Sequence, residues 1–98
     1  MSQGFMYILK CSDNSYYTGS TINLEKRLNE HFEGMGPNYT KSRRPVFLAY
    51  YEKFDKIKDA ARREKQIKGW SRAKKELLIK GLLDELIIIS NSKKSSNR

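Results

Sequence analysis

The stretch FMYILKCSDNSYYTGST, residues 5–21, sets two aromatic and branched runs on either side of a polar turn. Residues 5–11 carry the side chains that suit a pleated strand, SDNS at 12–15 supplies turn chemistry, and YYTGS at 16–20 resumes the strand composition. The pattern predicts a β-hairpin. Its rings are Phe5, Tyr7, Tyr16 and Tyr17, and Gly19 follows shortly after the tyrosine pair. Packing accounts for each ring taken singly, so any further role depends on what the rest of the chain brings beside the hairpin.

The chain's 98 residues, 38% of them hydrophobic, suffice for one domain with a single modest core. Its formal net charge of +9, from 20 Lys and Arg against 11 Asp and Glu, favours polyanionic partners, nucleic acid first among them. Cys11 has no second cysteine with which to form an internal disulfide, and one cysteine with one histidine cannot build a conventional structural zinc site. The N-terminus lacks the pattern of a secretory signal, and the longest apolar block, LIII at 86–89, is far too short to span a bilayer. These features point to a cytoplasmic protein that does not enter the membrane.

Beyond the hairpin, Asn23 is suited to cap a helix running to about Glu33, with Gly34 as its stop. GMGPNYTKSRRP at 34–45 has no period and reads as an exposed loop of a length often given over to function. VFLAYYEKF at 46–54 predicts a third strand. A helix from about Lys56 to Lys68, a break at Gly69 and a helix opened by Ser71 follow. Residues 82–89, LLDELIII, suit either a last helical turn or a short strand. SNSKKSSNR at 90–98 reads as a mobile basic tail, leaving 1–89 as the domain.

Two helices place polar groups where the pattern wants apolar ones. At helical spacing, Leu24, Leu28 and Phe32 share one side of the first helix, and Arg27 and His31 fall among them, one turn apart. In the next helix Ile57, Ala60, Ala61 and Ile67 define an inward stripe with Glu64 in its middle. An ionised group aimed inward needs a partner, a proton or a wet cleft. A structural ion pair between Glu64 and Arg27 would satisfy both without any chemistry, and a hydrogen-bonded core histidine is the plain reading of His31 alone.

The ordered set resembles the GIY-YIG nuclease superfamily, in particular its small stand-alone bacterial members. The first signature is degenerate, Phe5-Met6-Tyr7, and the second stands as Tyr17-Thr18-Gly19, with threonine in place of isoleucine. Arg27 in LEKRLNEHF, with His31 four residues on, matches the family's catalytic helix, and AARREKQIK matches the segment with its metal-binding glutamate, here Glu64. The resemblance covers about residues 4–80. One departure is the absence of the asparagine that several members carry beyond the glutamate, where this chain reads SRAKKELL and offers Lys74 or Lys75.

The resemblance implies an α+β fold, a small three-stranded, largely antiparallel sheet flanked by three or more helices. It implies a metal-dependent endonuclease in which Glu64 holds one Mg²⁺ or Mn²⁺ and Arg27 grips the scissile phosphate. Tyr7 is the preferred general base and Tyr17 positions water or phosphate, with the reverse assignment open; His31 hydrogen-bonds to the basic tyrosine or takes its proton. A phenol with an ordinary value of about 10 is a weak base unless cations lower it, and Arg27 and the metal would act in that direction. For Tyr7 and Tyr17 to share a face, the hairpin loop needs an odd number of residues, such as Asp13-Asn14-Ser15.

DNA is favoured over RNA as the partner, and Lys41, Arg43, Arg44, Arg62, Arg63, Lys65 and Lys68 are candidates for tracking phosphates. Trp70 reads as a packing anchor between the last two helices. A noncatalytic nucleic-acid-binding module is the alternative, and a basic protein-interaction domain ranks behind both.

Overall fold

The computed structural model describes residues 3–81; the readings of 82–89 and of the tail at 90–98 lie outside them. The elements are β1 (Gly4–Lys10), β2 (Tyr16–Thr21), α1 (Leu24–Phe32), α2 (Asn38–Lys41), β3 (Phe47–Phe54), α3 (Ile57–Lys68) and α4 (Arg72–Ile79). The strands form one antiparallel sheet in the order β2-β1-β3, which is the α+β architecture the resemblance implied. None of the helices described is long and apolar enough to cross a membrane.

β1 is the central strand, and it is buried on both faces from Met6 to Leu9. Met6 and Ile8 join Ile67 and Leu78 on the face covered by α3 and α4, with Tyr50, Phe54 and Trp70 around them. Tyr7 and Leu9 join Cys11 and Val46 on the other face, with Tyr17, Leu24, Leu28 and Leu48. Burying each of these larger apolar side chains stabilises the fold by roughly 1.5–3 kcal/mol. Trp70 packs against the first cluster, with Arg63 and Lys74 over its ring, as an anchor between α3 and α4 should.

The hairpin register pairs Tyr7 with Gly19 and Leu9 with Tyr17, so Tyr7 and Tyr17 do share a face. Its odd loop is Ser12-Asp13-Asn14 rather than Asp13-Asn14-Ser15. The Cys11 N–H donates to the Ser15 carbonyl at 2.9 Å, the Asn14 N–H donates to the Cys11 carbonyl, and Asn14 takes a φ of 67°. Asparagine tolerates that left-handed conformation, which places the turn one residue earlier while preserving parity.

On the other side of β1, Ile8 pairs with Tyr50 but Leu9 with Leu48, a bulge that leaves Ala49 unpaired. The extra residue switches the parity of β3. Leu48 therefore faces α1 and Tyr50 faces α3, although both numbers are even.

The helix ends follow the sequence. Asn23 accepts from the Lys26 N–H at 3.1 Å, and Ser71 caps α4 by accepting from the Lys74 N–H. Gly34, at φ 78°, closes α1 with the paired bonds of a left-handed cap, its own N–H to the His31 carbonyl and that of Met35 to the Glu30 carbonyl.

Three expectations need correction. Residues 34–45 are not simply an exposed loop: they contain the single turn of α2, too short to show a period, and Thr40 within it is fully buried. Phe32, placed with the inward leucines by its spacing, is 44% exposed because it sits in the last turn of α1, beyond the sheet's cover. Ala61 is exposed, so the inward stripe of α3 runs through Ala60 and Ile67.

Candidate active site

Tyr7 rises from the centre of the sheet, and its ring reaches across β2 because Gly19 stands opposite. A Cβ at Gly19 would lie 2.5 Å from the Tyr7 hydroxyl oxygen. Any side chain there would displace the ring.

The Tyr7 hydroxyl lies 2.8 Å from His31 Nε2, and His31 Nδ1 lies 2.9 Å from Thr40 Oγ1. α1 supplies the histidine and α2 the threonine, and both are fully buried, with Tyr7 at 1% exposure. Tyr17 joins the same cluster, its ring 5.4 Å from that of His31 and 6.5 Å from that of Tyr7, centroid to centroid. Over Tyr17 lies Tyr39, at 6.0 Å, and the guanidinium of Arg43 sits 3.8 Å from the Tyr39 centroid.

Arg27 stands beside the Tyr7 hydroxyl and pairs through Nη1 with Glu30 Oε1 at 3.0 Å. Glu30 first, then Tyr7, holds it more firmly in its cationic form. Arg27 and Glu64 do not form the ion pair considered from the sequence.

Burial pushes the Tyr7 phenol up to about 12, outweighing the opposing effect of Arg27. Arg27 does act to lower it, as expected, but burial is the larger effect and leaves the phenol above its ordinary value in the resting protein. Burial, with Arg27 adding to it, pushes His31 down to about 4. The proton therefore rests on the phenol and the imidazole is neutral.

Glu64 reaches the same strand from the opposite face. Ser20, next to Gly19, donates from Oγ to Glu64 Oε1 at 2.6 Å, and Lys68, one turn along α3, pairs with Oε2 at 2.6 Å. The carboxylate sits at the rim, its side chain 20% exposed, rather than in the middle of the core. β2 is an edge strand, with the phenol over Gly19 on one face and the carboxylate at Ser20 on the other, and the charge of Glu64 acts on Tyr7.

The donor set decides whether a divalent ion suits Glu64. Among the described residues no group of three histidine, cysteine, aspartate or glutamate side chains stands ready to enclose a metal. A single anchored carboxylate fits the mode of Mg²⁺, which keeps several waters and takes further oxygens from a phosphate. Lys68 is the one competitor at Oε2, on a half-exposed and flexible side chain. The residues present therefore fit a hydrated ion and do not fit a closed protein cage.

A groove of about 400 Å³ follows β2 and the start of α1, lined by Ser20, Thr21, Lys26, Arg27 and Glu30 among others. A larger groove of about 670 Å³ lies between α1 and the sheet, lined by Leu28 and Phe32 of α1, Phe5 of β1 and Tyr51 of β3 among others. Its one charged wall residue is Glu25, which suits it poorly to phosphate.

The seven cations proposed for phosphate tracking do not form one surface. Arg43 is held by Asp13 at 3.0 Å, and Arg44 packs against Gly34 and bonds to the carbonyls of Lys41 and Phe32. Arg63 makes a two-pronged pair with Glu52 on β3, so it and its neighbour Arg62, paired with Asp59, lie across α3 from the β2 edge. Lys68 belongs to Glu64. Lys41 and Lys65 are exposed.

Ser20, Lys26, Glu30 and Thr40 complete the site and were not singled out from the sequence. Ser20 had a signal, its place directly after the Tyr17-Thr18-Gly19 signature. Thr40 had none, because its loop carries no period.

The family model of the GIY-YIG catalytic domain matches residues 3–77. A UPF0213 protein of Syntrophus aciditrophicus is 54% identical over 81 residues, covering 82% of this chain and 93% of that protein. A UPF0213 protein of Staphylococcus haemolyticus is 49% identical over 79 residues, with 81% and 96% covered. The solution NMR structure of the UPF0213 protein BH0048 from Bacillus halodurans, 38% identical, superposes with a TM-score of 0.53 over 80% of this chain and 83% of its own. That of the protein EF2693 from E. faecalis, 37% identical, gives 0.57 over 83% and 86%.

Proposed function

Because the chain belongs to the GIY-YIG catalytic-domain family, we propose that it is a metal-dependent endonuclease of the cytoplasm that hydrolyses phosphodiester bonds in nucleic acid, DNA in preference to RNA. One observation carries the reading. The Tyr7 hydroxyl, bonded to His31 and flanked by Arg27, lies over Gly19, and the next residue of β2 holds the carboxylate of Glu64.

Hydrolysis needs a water stripped of its proton, a phosphate whose growing charge is balanced, and a leaving oxygen that can depart. Arg27 would take the second task. Its pair with Glu30 is partly exposed, and such pairs contribute only about 0–1 kcal/mol, so a phosphate that accepts two parallel bonds competes well for the guanidinium. Turning to the phosphate, Arg27 uncovers Tyr7 beneath it. Tyr7 then takes the proton of the attacking water while its own passes to His31. Tyr17, less buried in the same cluster, holds water or phosphate in line.

Glu64 would hold the one Mg²⁺ or Mn²⁺, which when bound supplies charge neutralisation at the phosphate and favours loss of the water proton. Ser20 orients the carboxylate for that task, and Lys68 occupies its second oxygen until displaced.

The test is nicking of labelled duplex, flapped and RNA substrates with and without Mg²⁺ or Mn²⁺. Glu64→Ala and Arg27→Ala are each expected to lower turnover by roughly 10²-fold or more. Cleavage indifferent to both would discard the site.

A second reading, a noncatalytic nucleic-acid-binding module, draws on the pairing of Glu64 with Lys68 and on the lack of further carboxylates beside it among the described residues. Binding that weakens steeply with salt, without turnover in any metal, would favour it.

A further inference from the structure

We propose that Thr40 is a positioning residue that fixes which nitrogen of His31 carries the proton, and so makes His31 the acceptor for the Tyr7 proton. The catalytic consequence rests on the nuclease reading above, whereas the proton's place is a property of the resting protein.

The argument is a count of protons in a buried chain. Thr40 Oγ1 lies 2.9 Å from His31 Nδ1 and 3.2 Å from the Pro37 carbonyl oxygen, and the hydroxyl has one proton to give. Given to Pro37, it leaves Oγ1 free to accept from an Nδ1–H. His31 Nε2 is then bare and accepts from the Tyr7 hydroxyl at 2.8 Å. Arg27, which can only donate, stands at the Tyr7 oxygen. Every group in the chain is used.

The opposite arrangement fails at one end. If Thr40 donated to Nδ1, His31 would have to carry its proton on Nε2 and donate it to Tyr7. The phenol proton would then face a guanidinium, with no acceptor among its described hydrogen-bond partners. Stranding a buried hydroxyl is costly, and native interiors avoid it. Pro37, whose carbonyl also receives the Lys41 N–H, thus anchors the chain through Thr40.

During hydrolysis the water oxygen bonds to phosphorus as its proton moves to the Tyr7 oxygen, and the Tyr7 proton moves to Nε2. The bond from phosphorus to the leaving sugar oxygen breaks, and that oxygen takes a proton from solvent. The imidazolium keeps its Nδ1–H on Thr40 and later returns the other proton through Tyr7.

The chain has a single histidine, so the ¹⁵N imidazole spectrum of labelled protein reports on His31 alone. The parent is expected to show a protonated Nδ1 and an unprotonated Nε2 near neutral pH. Thr40→Val, close in shape but without the oxygen, is expected to move the proton to Nε2 and to lower nicking turnover about 10²-fold, whereas Thr40→Ser keeps both. A parent with the proton on Nε2 overturns the proposal, and this spectrum decides even if Thr40→Val does not fold. A Thr40→Val protein that retains Nδ1–H, or that switches yet nicks at the parent rate, also overturns it. A parent that never nicks sinks the nuclease reading and with it the catalytic role, while the spectrum separately upholds or overturns the tautomer.

Discussion

The two faces of the sheet grow from alternate residues of one strand and are built on opposite terms. Met6 and Ile8 enter a cluster whose buried members are apolar, with polar pairs such as Arg63 to Glu52 kept at the rim. Tyr7, between them in sequence, enters a face where a phenol, an imidazole and a hydroxyl lie buried in a bonded line. The first arrangement stabilises without specifying any proton. The second uses burial to hold three polar groups in one line of hydrogen bonds that ends on the Pro37 carbonyl.

If that division is real, the two faces should fail differently. Tyr7→Phe is expected to lower nicking by about 10²–10⁴-fold while costing roughly 1–3 kcal/mol of stability, since it strands one buried nitrogen of His31. Ile8→Ala is expected to cost about 2–5 kcal/mol in denaturant unfolding yet leave turnover per folded molecule near the parent value. Loss of turnover in a fully folded Ile8→Ala protein would show that the faces are not separable.

Acid should act through the polar face. The fold lowers His31 from its ordinary value of 6.5 to about 4, so the unfolded chain takes up the proton first as pH falls. The stability this contributes is complete above about pH 6.5 and is lost on the way down to about pH 4, amounting to about 3 kcal/mol. Unfolding free energies measured across that window should slope in the parent and flatten in His31→Gln.

The smallest effect concerns a second buried threonine. Thr18 pairs with Ile8 in the hairpin register, and its Oγ1 has no hydrogen-bond partner among the described residues. Thr18→Val should therefore stabilise by about 1 kcal/mol in the same unfolding assay, without altering turnover. Destabilisation would mean that the hydroxyl has a partner after all and that the apolar face is less plain than it looks.

Much of this was legible beforehand because it is local. The hairpin, the caps at Asn23 and Ser71 and the stop at Gly34 each follow from a few neighbouring residues, whereas the odd loop joining Tyr7 to Tyr17 was only what a shared face would require. The positions of Arg27, His31 and Glu64 stood out because they broke helical patterns. The loop slid by one residue because Asn14 accepts a left-handed backbone, a choice among turn residues that composition leaves open. The basic residues were grouped by charge alone, and the structure disperses them because Asp13, Asp59, Glu52 and Glu64 take four as partners.

By itself, then, the sequence determined the class of fold, the order of its elements and which side chains break the apolar pattern, since these depend on periodicity and on chemistry within a turn or two. Tertiary structure alone decided that Thr40 would meet His31, that Gly19 would leave room for Tyr7, and that Glu64 would pair with Ser20 and Lys68 instead of Arg27. The reason is physical: a hydrogen bond or a close approach between distant segments is settled by the register of strands and the seating of helices, and no single segment carries that information.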